Sequence, residues 1–253
     1  ENFEAEFVVA SGQTITGLLS AHLLTLDKTP CVLAVVRDIS SINLAISNLR
    51  GGLTVVAANG ITDSGTVTVT GDTALTAGAS NIVLDDITND FQGLVHVASA
   101  QNVVLRDANR LSFSGTVTGN ADIQATTQLY LGATQVGGEL KALGNFTVTG
   151  DLVGEHIALT SINFLDMGGF TATATGLGTA GYITITAVND VTLGRLVTSS
   201  GSVSVTSTAG RILDGLLTEQ RNIVTAGDVS LSAATGDLNV KLWADAGSTF
   251  APD

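Results

Sequence analysis

From about Gly51 onward the chain repeats one theme, a small turn residue followed by alternating apolar and hydroxylic positions. The theme appears as Gly65-Thr66-Val67-Thr68-Val69, Asn81-Ile82-Val83-Leu84, Gly93-Leu94-Val95-His96-Val97 and Asn145-Phe146-Thr147-Val148. Later copies are Gly181-Tyr182-Ile183-Thr184-Ile185, Asp190-Val191-Thr192-Leu193, Gly201-Ser202-Val203-Ser204-Val205 and Gly227-Asp228-Val229-Ser230-Leu231. A period of two sends Val, Ile and Leu to one face of a strand and Thr or Ser to the other. No long segment carries helical periodicity with caps. The turns are single Gly, Asn or Asp residues that bend the chain without reversing it, Asn59-Gly60 being the main hairpin-type exception. An antiparallel sandwich or barrel would bury many short strands of this kind, and so would a solenoid in which each strand stacks on its equivalent one coil later; turns that do not reverse the chain favour the solenoid. At roughly 20 residues per coil the zone supplies about ten coils, a rod on the order of 50 Å long.

Residues 1 to about 40 read differently. Three strand-like runs, Phe3 to Ala10, Thr14 to Leu26 and Cys31 to Asp38, are joined by Ser11-Gly12-Gln13 and Asp27-Lys28-Thr29-Pro30. Turn residues between β-rich runs predict an antiparallel meander. The expected division is therefore a meander at 1–40, a junction at 41–50 and parallel repeats at 51–253. The meander is a candidate cap, since the end of a solenoid is an open sheet edge.

Composition narrows the core. Apolar residues make up 44% of the chain and aromatics only 4%, so burial must come from small or branched aliphatic side chains in thin, regular layers. The 23 acidic residues against 10 basic ones give a net charge of −13, spread along the chain, which disfavours nucleic acid and anionic membranes as partners. No apolar run approaches the length of about 20 residues that spans a bilayer. The opening on Glu1 and the lack of a charged leader fit a segment of a longer protein.

Candidate chemistry is sparse. Cys31, the single cysteine, sits in Cys31-Val32-Leu33-Ala34-Val35-Val36 and reads as a buried strand thiol. His22, His96 and His156 are far apart and lack partners at ligand spacing, and His96, between Val95 and Val97, is expected to face solvent. Asp85-Asp86 with Asp90 is the densest acidic group and could serve polysaccharide hydrolysis or hold calcium. Adjacent residues of an extended strand face opposite ways, however, and Asp favours the corner that follows Val83-Leu84. Tyr130 and Trp243 are isolated aromatics, suited to packing or to stacking on a sugar. The sequence carries no Gly-x-Ser-x-Gly elbow and no phosphate-cradling glycine loop, so no catalytic, cofactor-binding or metal-binding residue is assigned.

Two stretches resemble known families. Asn89-Asp90-Phe91-Gln92-Gly93-Leu94-Val95 with Val104-Leu105-Arg106-Asp107-Ala108-Asn109 resembles a repeat phrase of large filamentous-haemagglutinin-like adhesins of Gram-negative bacteria. Ala209-Gly210-Arg211-Ile212-Leu213-Asp214-Gly215, leading into Gly227-Asp228-Val229-Ser230-Leu231-Ser232-Ala233, is similar to another phrase of those proteins. This resemblance covers about residues 50–250. It implies an all-β right-handed parallel β-helix shaft, secreted or held at a bacterial cell surface, presenting regions that bind a surface receptor or glycan. Phe3-Glu4-Ala5-Glu6-Phe7, Gly17-Leu18-Leu19-Ser20-Ala21 and Pro30-Cys31-Val32-Leu33-Ala34-Val35-Val36-Arg37-Asp38-Ile39-Ser40 resemble the closing strands of a PAS sensory domain. There Asp38-Ile39-Ser40 stands where that family carries Asp-Ile-Thr. The expectation is thus a non-enzymatic, monomeric structural or adhesive shaft without cofactors, with no nucleic-acid partner and no membrane insertion. The alternatives are a carbohydrate-active β-helix enzyme, a polysaccharide lyase or hydrolase, and a fragment of a PAS-containing sensor.

Overall fold

A computed structural model describes residues 2–8, 14–26, 29–38, 41–45, 48–177, 181–217, 220–236, 238–240 and 242–244, with backbone alone for 2–38 and 242–244. Every regular element among them is a strand. Asn2–Val8 (β1), Thr14–Leu26 (β2) and Thr29–Asp38 (β3) form the expected antiparallel meander, with Asn2 opposite Ser20 and Gly17 opposite Asp38. These three strands make a sheet of their own, separate from the pairing that follows.

Beyond them the chain is a parallel β-solenoid. Its first face is one ladder of apolar positions in register: Ile42, Ile61, Ile82, Val103, Ala121, Leu140, Ile157, Ile183, Val203 and Val229. At about 4.8 Å per step, its nine steps span roughly 43 Å. A second face stacks Leu111, Leu129, Phe146, Leu165, Val191, Ile212 and Leu238. The third runs through Val55, Leu75, Val97, Gly115, Thr134, Leu152, Ala172, Leu196 and Ile223. Alternation along each strand closes the interior, as in Ile183-Thr184-Ile185-Thr186-Ala187, whose apolar members are fully buried and whose threonines are half-exposed. Phe91, Phe113 and Phe146 are the largest buried side chains, and the rest of the core is mostly Val, Leu, Ile and Ala, as the scarcity of aromatics required.

Two details differ from the sequence-based expectation. Parallel pairing starts at Ile42 with Ile61, and Leu49 bridges Val69, so much of the 41–50 stretch belongs to the first coil. Coils are also less uniform than 20 residues: Glu139 lies under His156, 17 positions on, whereas Leu196 lies under Ile223, 27 positions on. The ladder fixes only the strands, and the corners absorb the variation.

Corners are held by the small polar residues that mark the repeats. At the corner preceding the first face, Asn102 Nδ2 donates to Asn81 Oδ1 (2.9 Å), Asn120 N–H to Asn102 Oδ1 (2.8 Å) and Glu139 N–H to Asn120 Oδ1 (2.9 Å). Further along, Gly181, Gly201 and Gly227 take over that corner, and here the constraint is steric. A Cβ on Gly201 would lie 2.0 Å from the Gly181 carbonyl oxygen, and one on Gly227 would lie 2.5 Å from that of Gly201. Backbone packed on backbone leaves room for glycine alone. Gly201→Ala is therefore expected to destabilise the fold by about 1–3 kcal/mol in urea melts. Gly65→Ala, whose Cβ would meet nothing within 4 Å, should stay within about 0.5 kcal/mol of the parent protein.

Candidate functional site

The acidic group singled out by its sequence density does not assemble as a catalytic pair. Asp85 is exposed after the strand Ile82–Leu84, while Asp86 turns back on its own corner. Asp86 Oδ1 accepts from Thr88 N–H (2.8 Å) and Thr88 Oγ1 (2.6 Å), and the hydroxyl bond first, then the amide, holds this carboxyl below its ordinary range. Asp90 accepts from Gln92 Nε2 at 2.9 Å. The placement of Asp85 and Asp86 at a corner is thus as the sequence suggested.

The carboxylate that stands out electrostatically is Asp107, which sequence reading noticed only as part of a repeat phrase. It is 2% exposed, at the end of Val103–Asp107. Its Oδ2 accepts from Phe91 N–H on the coil below (2.8 Å) and its Oδ1 from Asn109 N–H (2.7 Å). Burial pushes it up to about 6, against the two amide bonds, with the nearby Asp90 charge adding to the rise. A raised carboxyl can signal a general acid. Here both oxygens are engaged by backbone within the solenoid, so the group ties two coils together. Beside it the buried Asn89 has the same duty, accepting from Val67 N–H (2.8 Å) and donating to Asp63 (2.6 Å).

The histidines are dispersed. His96 is exposed, as expected, and its Nδ1 lies 3.0 Å from Ser114 Oγ. His156 stacks on Tyr182 with ring centroids 4.7 Å apart and planes 3° from parallel, while its Nδ1 is buried without a hydrogen-bond partner. The Tyr182 hydroxyl donates to Glu139 at 3.4 Å, and burial, followed by the Glu139 charge, raises it above its ordinary value. Tyr130 packs under the Arg110 guanidinium, 5.3 Å from the ring centre. The side chains of His22, Cys31 and Trp243 lie outside the described residues, and with them the expected burial of Cys31. Among the described residues, no group of three or more His, Cys, Asp or Glu side chains is placed to hold a metal ion.

A concave surface does exist elsewhere. A groove of about 500 Å³ runs along the corner between the first and second faces, lined by Asn163, Phe164, Asp166, Asn189, Asp190 and Gly210 among others. Asn189 donates through Nδ2 to Asn163 Oδ1, and Arg211 clamps Asp190 at 2.7 Å. The Arg211 hydrogen bonds hold the Asp190 carboxyl below its ordinary range. Sequence reading missed this site because Ser161-Ile162-Asn163-Phe164-Leu165 has the alternation of an ordinary strand.

A family model described as "Repeats of unknown function (DUF5649)" matches residues 33–98, from within β3 into Leu94–Ala100. It agrees with the repeat character of the chain and carries no activity with it. No curated protein and no solved structure matches the chain.

The Asp107 corner sets a pH dependence. A carboxyl raised in the folded state adds stability that is complete below its unfolded value near 4 and is lost as pH rises through about 6. Asp107→Asn lacks that titration. The stability advantage of the parent protein over this variant is therefore expected to be larger at pH 4 than at pH 7, by roughly 2 kcal/mol after allowance for solvent screening. Paired urea melts at the two pH values measure it, and an advantage that grows toward pH 7 would contradict it.

Proposed function

We propose that this chain is a non-catalytic shaft segment of a bacterial surface or secreted adhesin, whose stacked coils hold a receptor-binding region away from the cell. The observation that carries the reading is the unbroken first-face ladder from Ile42 to Val229. Such a ladder makes a stiff, elongated body from little more than short aliphatic and hydroxylic residues. The repeat family matched at residues 33–98 is in keeping with it, as are the repeat phrases that resemble filamentous-haemagglutinin-like proteins. The acid clusters do not favour the polysaccharide lyase or hydrolase alternative: Asp86 Oδ1 is engaged by Thr88 at its own corner, and both oxygens of Asp107 accept from backbone N–H groups. The PAS-like reading of residues 1–40 rests on three strands, which pair as an antiparallel sheet of their own.

Small-angle scattering of the purified chain should give an elongated particle, and circular dichroism a β-rich spectrum. A compact sphere would sink the shaft reading. Incubation with acidic and neutral polysaccharides over a pH range, with calcium present, should release no product. Chain cleavage that Asp90→Asn abolished would establish the enzyme reading instead.

A further inference from the structure

The corner between the first and second faces is where the shaft loses its regularity. One residue separates the paired positions Gly144 and Phe146, while in the coil above three residues, Ile162, Asn163 and Phe164, separate their partners Ser161 and Leu165. The wide corner then persists: three residues lie between Ala187 and Val191, and four between Ser207 and Ile212. A long corner stacked on a short one has to project past it. Accordingly Ile162 is 50% exposed, Phe164 40% and Val188 43%, whereas Phe91, Phe113 and Phe146 on the regular coils are fully buried.

The projecting loop is nonetheless fixed. Ser161 Oγ donates to the Phe164 carbonyl (2.6 Å) and accepts from Asn163 N–H (3.3 Å). Asn189 N–H donates to the Asn163 carbonyl (2.7 Å), and Ala209 N–H to that of Val188 (2.7 Å), so the wide corners are bonded one above another. An exposed aromatic ring carried on a bonded backbone beside amide and carboxyl groups is a preorganised surface.

We propose that this groove binds an uncharged glycan chain, with a sugar ring laid against Phe164 and its hydroxyls bonded by Asn163, Asn189 and Asp166. The proposal names the ligand class of the shaft described above and rests on that reading. Charge selects the class. Asp190 is already neutralised by Arg211, leaving Asp166 as the carboxylate of the lining without an ion pair among the described residues, and its Oδ1 accepts from Gly168 N–H at 2.9 Å. Within the groove a cationic peptide finds one carboxylate to pair with, and the net charge of −13, spread along the chain, attracts it without directing it to this corner, whereas sulfated or uronic chains are repelled both by Asp166 and by that net charge. An uncharged chain needs only hydrogen-bond acceptors, donors and an apolar plate, which the groove combines. The groove is also open, so a polymer can cross it without presenting an end.

Isothermal titration of the full chain tests this with neutral glucan, mannan and galactan hexasaccharides as probes, alongside a heparin hexasaccharide and an Arg/Lys-rich peptide. Saturable binding of at least one neutral chain is expected, with Kd between about 10 μM and 1 mM. Phe164→Ala should weaken it at least tenfold without lowering the melting temperature, and Asp166→Asn should weaken it less. The proposal is overturned if no neutral chain binds, if only the heparin fragment or the peptide binds, or if Phe164→Ala binds as tightly as the parent protein. An elongated particle without glycan binding removes the site and leaves the shaft, whereas glycan binding by a compact particle does the reverse.

Discussion

The structure depends on one constraint, that each coil must repeat the backbone path of the coil beneath it closely enough to hydrogen-bond along its strands. Once this holds, a side chain at a given station has the same neighbours above and below, and like residues stack on like. The first-face ladder from Ile42 to Val229 is nearly all branched aliphatic, and its interior members are buried at 0–1% exposure. A core of this kind does not need aromatic bulk, because its cross-section is only as wide as two or three facing side chains. The same rule makes errors local: an altered corner disturbs the coils it touches and leaves distant ones in register.

Corners explain the polar composition. Where a strand ends, backbone groups are left over, and they are satisfied by side chains reaching between coils. Asp72 accepts from Leu94 N–H, Asp151 from Thr171 N–H and Asp190 from Arg211 N–H, each across one coil. The asparagines at 102 and 120 do the same with neutral amides, accepting from Asn120 N–H and Glu139 N–H. Much of the acidity is therefore a structural device. A carboxylate offers two acceptor oxygens and tolerates the bent backbone of a corner, which lysine and arginine cannot match.

This also accounts for what could be read from the sequence. Strand and turn alternation survived intact: the boundaries of β2 fall at Thr14 and Leu26 as expected, and the parallel strands begin beside the Gly, Asn and Asp residues that punctuate the repeats. Coil length was not legible, because a run of residues at a corner has no periodicity and its size is visible only once the partner coil is known. Ile42–Leu44 was hidden for a related reason, being three residues long and lacking a glycine before it. Asp107 looked like any other turn acid, since its burial and its bonds from Phe91 and Asn109 N–H arise only in the stacked coils, one of those donors lying 16 positions away in the chain. The groove was illegible twice over, in the strand-like pattern of residues 161–165 and in the register change at Gly144–Phe146 below it.

The contrast between regular and irregular corners bears on where function can lie. At a regular corner the polar groups are consumed: Asp107 spends both oxygens, Asn89 both ends of its amide, and a substrate would have to break coil-to-coil bonds to reach them. At a widened corner the chain has more residues than the stacking needs. Ile162, Asn163 and Phe164 are held by Ser161 and Asn189 but are not required to fill the core, since Leu165 returns to the ladder directly after them and is 1% exposed. Residues released from packing in this way can change without unfolding the solenoid, and the ladder on either side keeps whatever they present at a fixed geometry. In a protein whose every strand repeats a structural theme, the surplus residues at a corner are therefore the ones physically free to carry recognition.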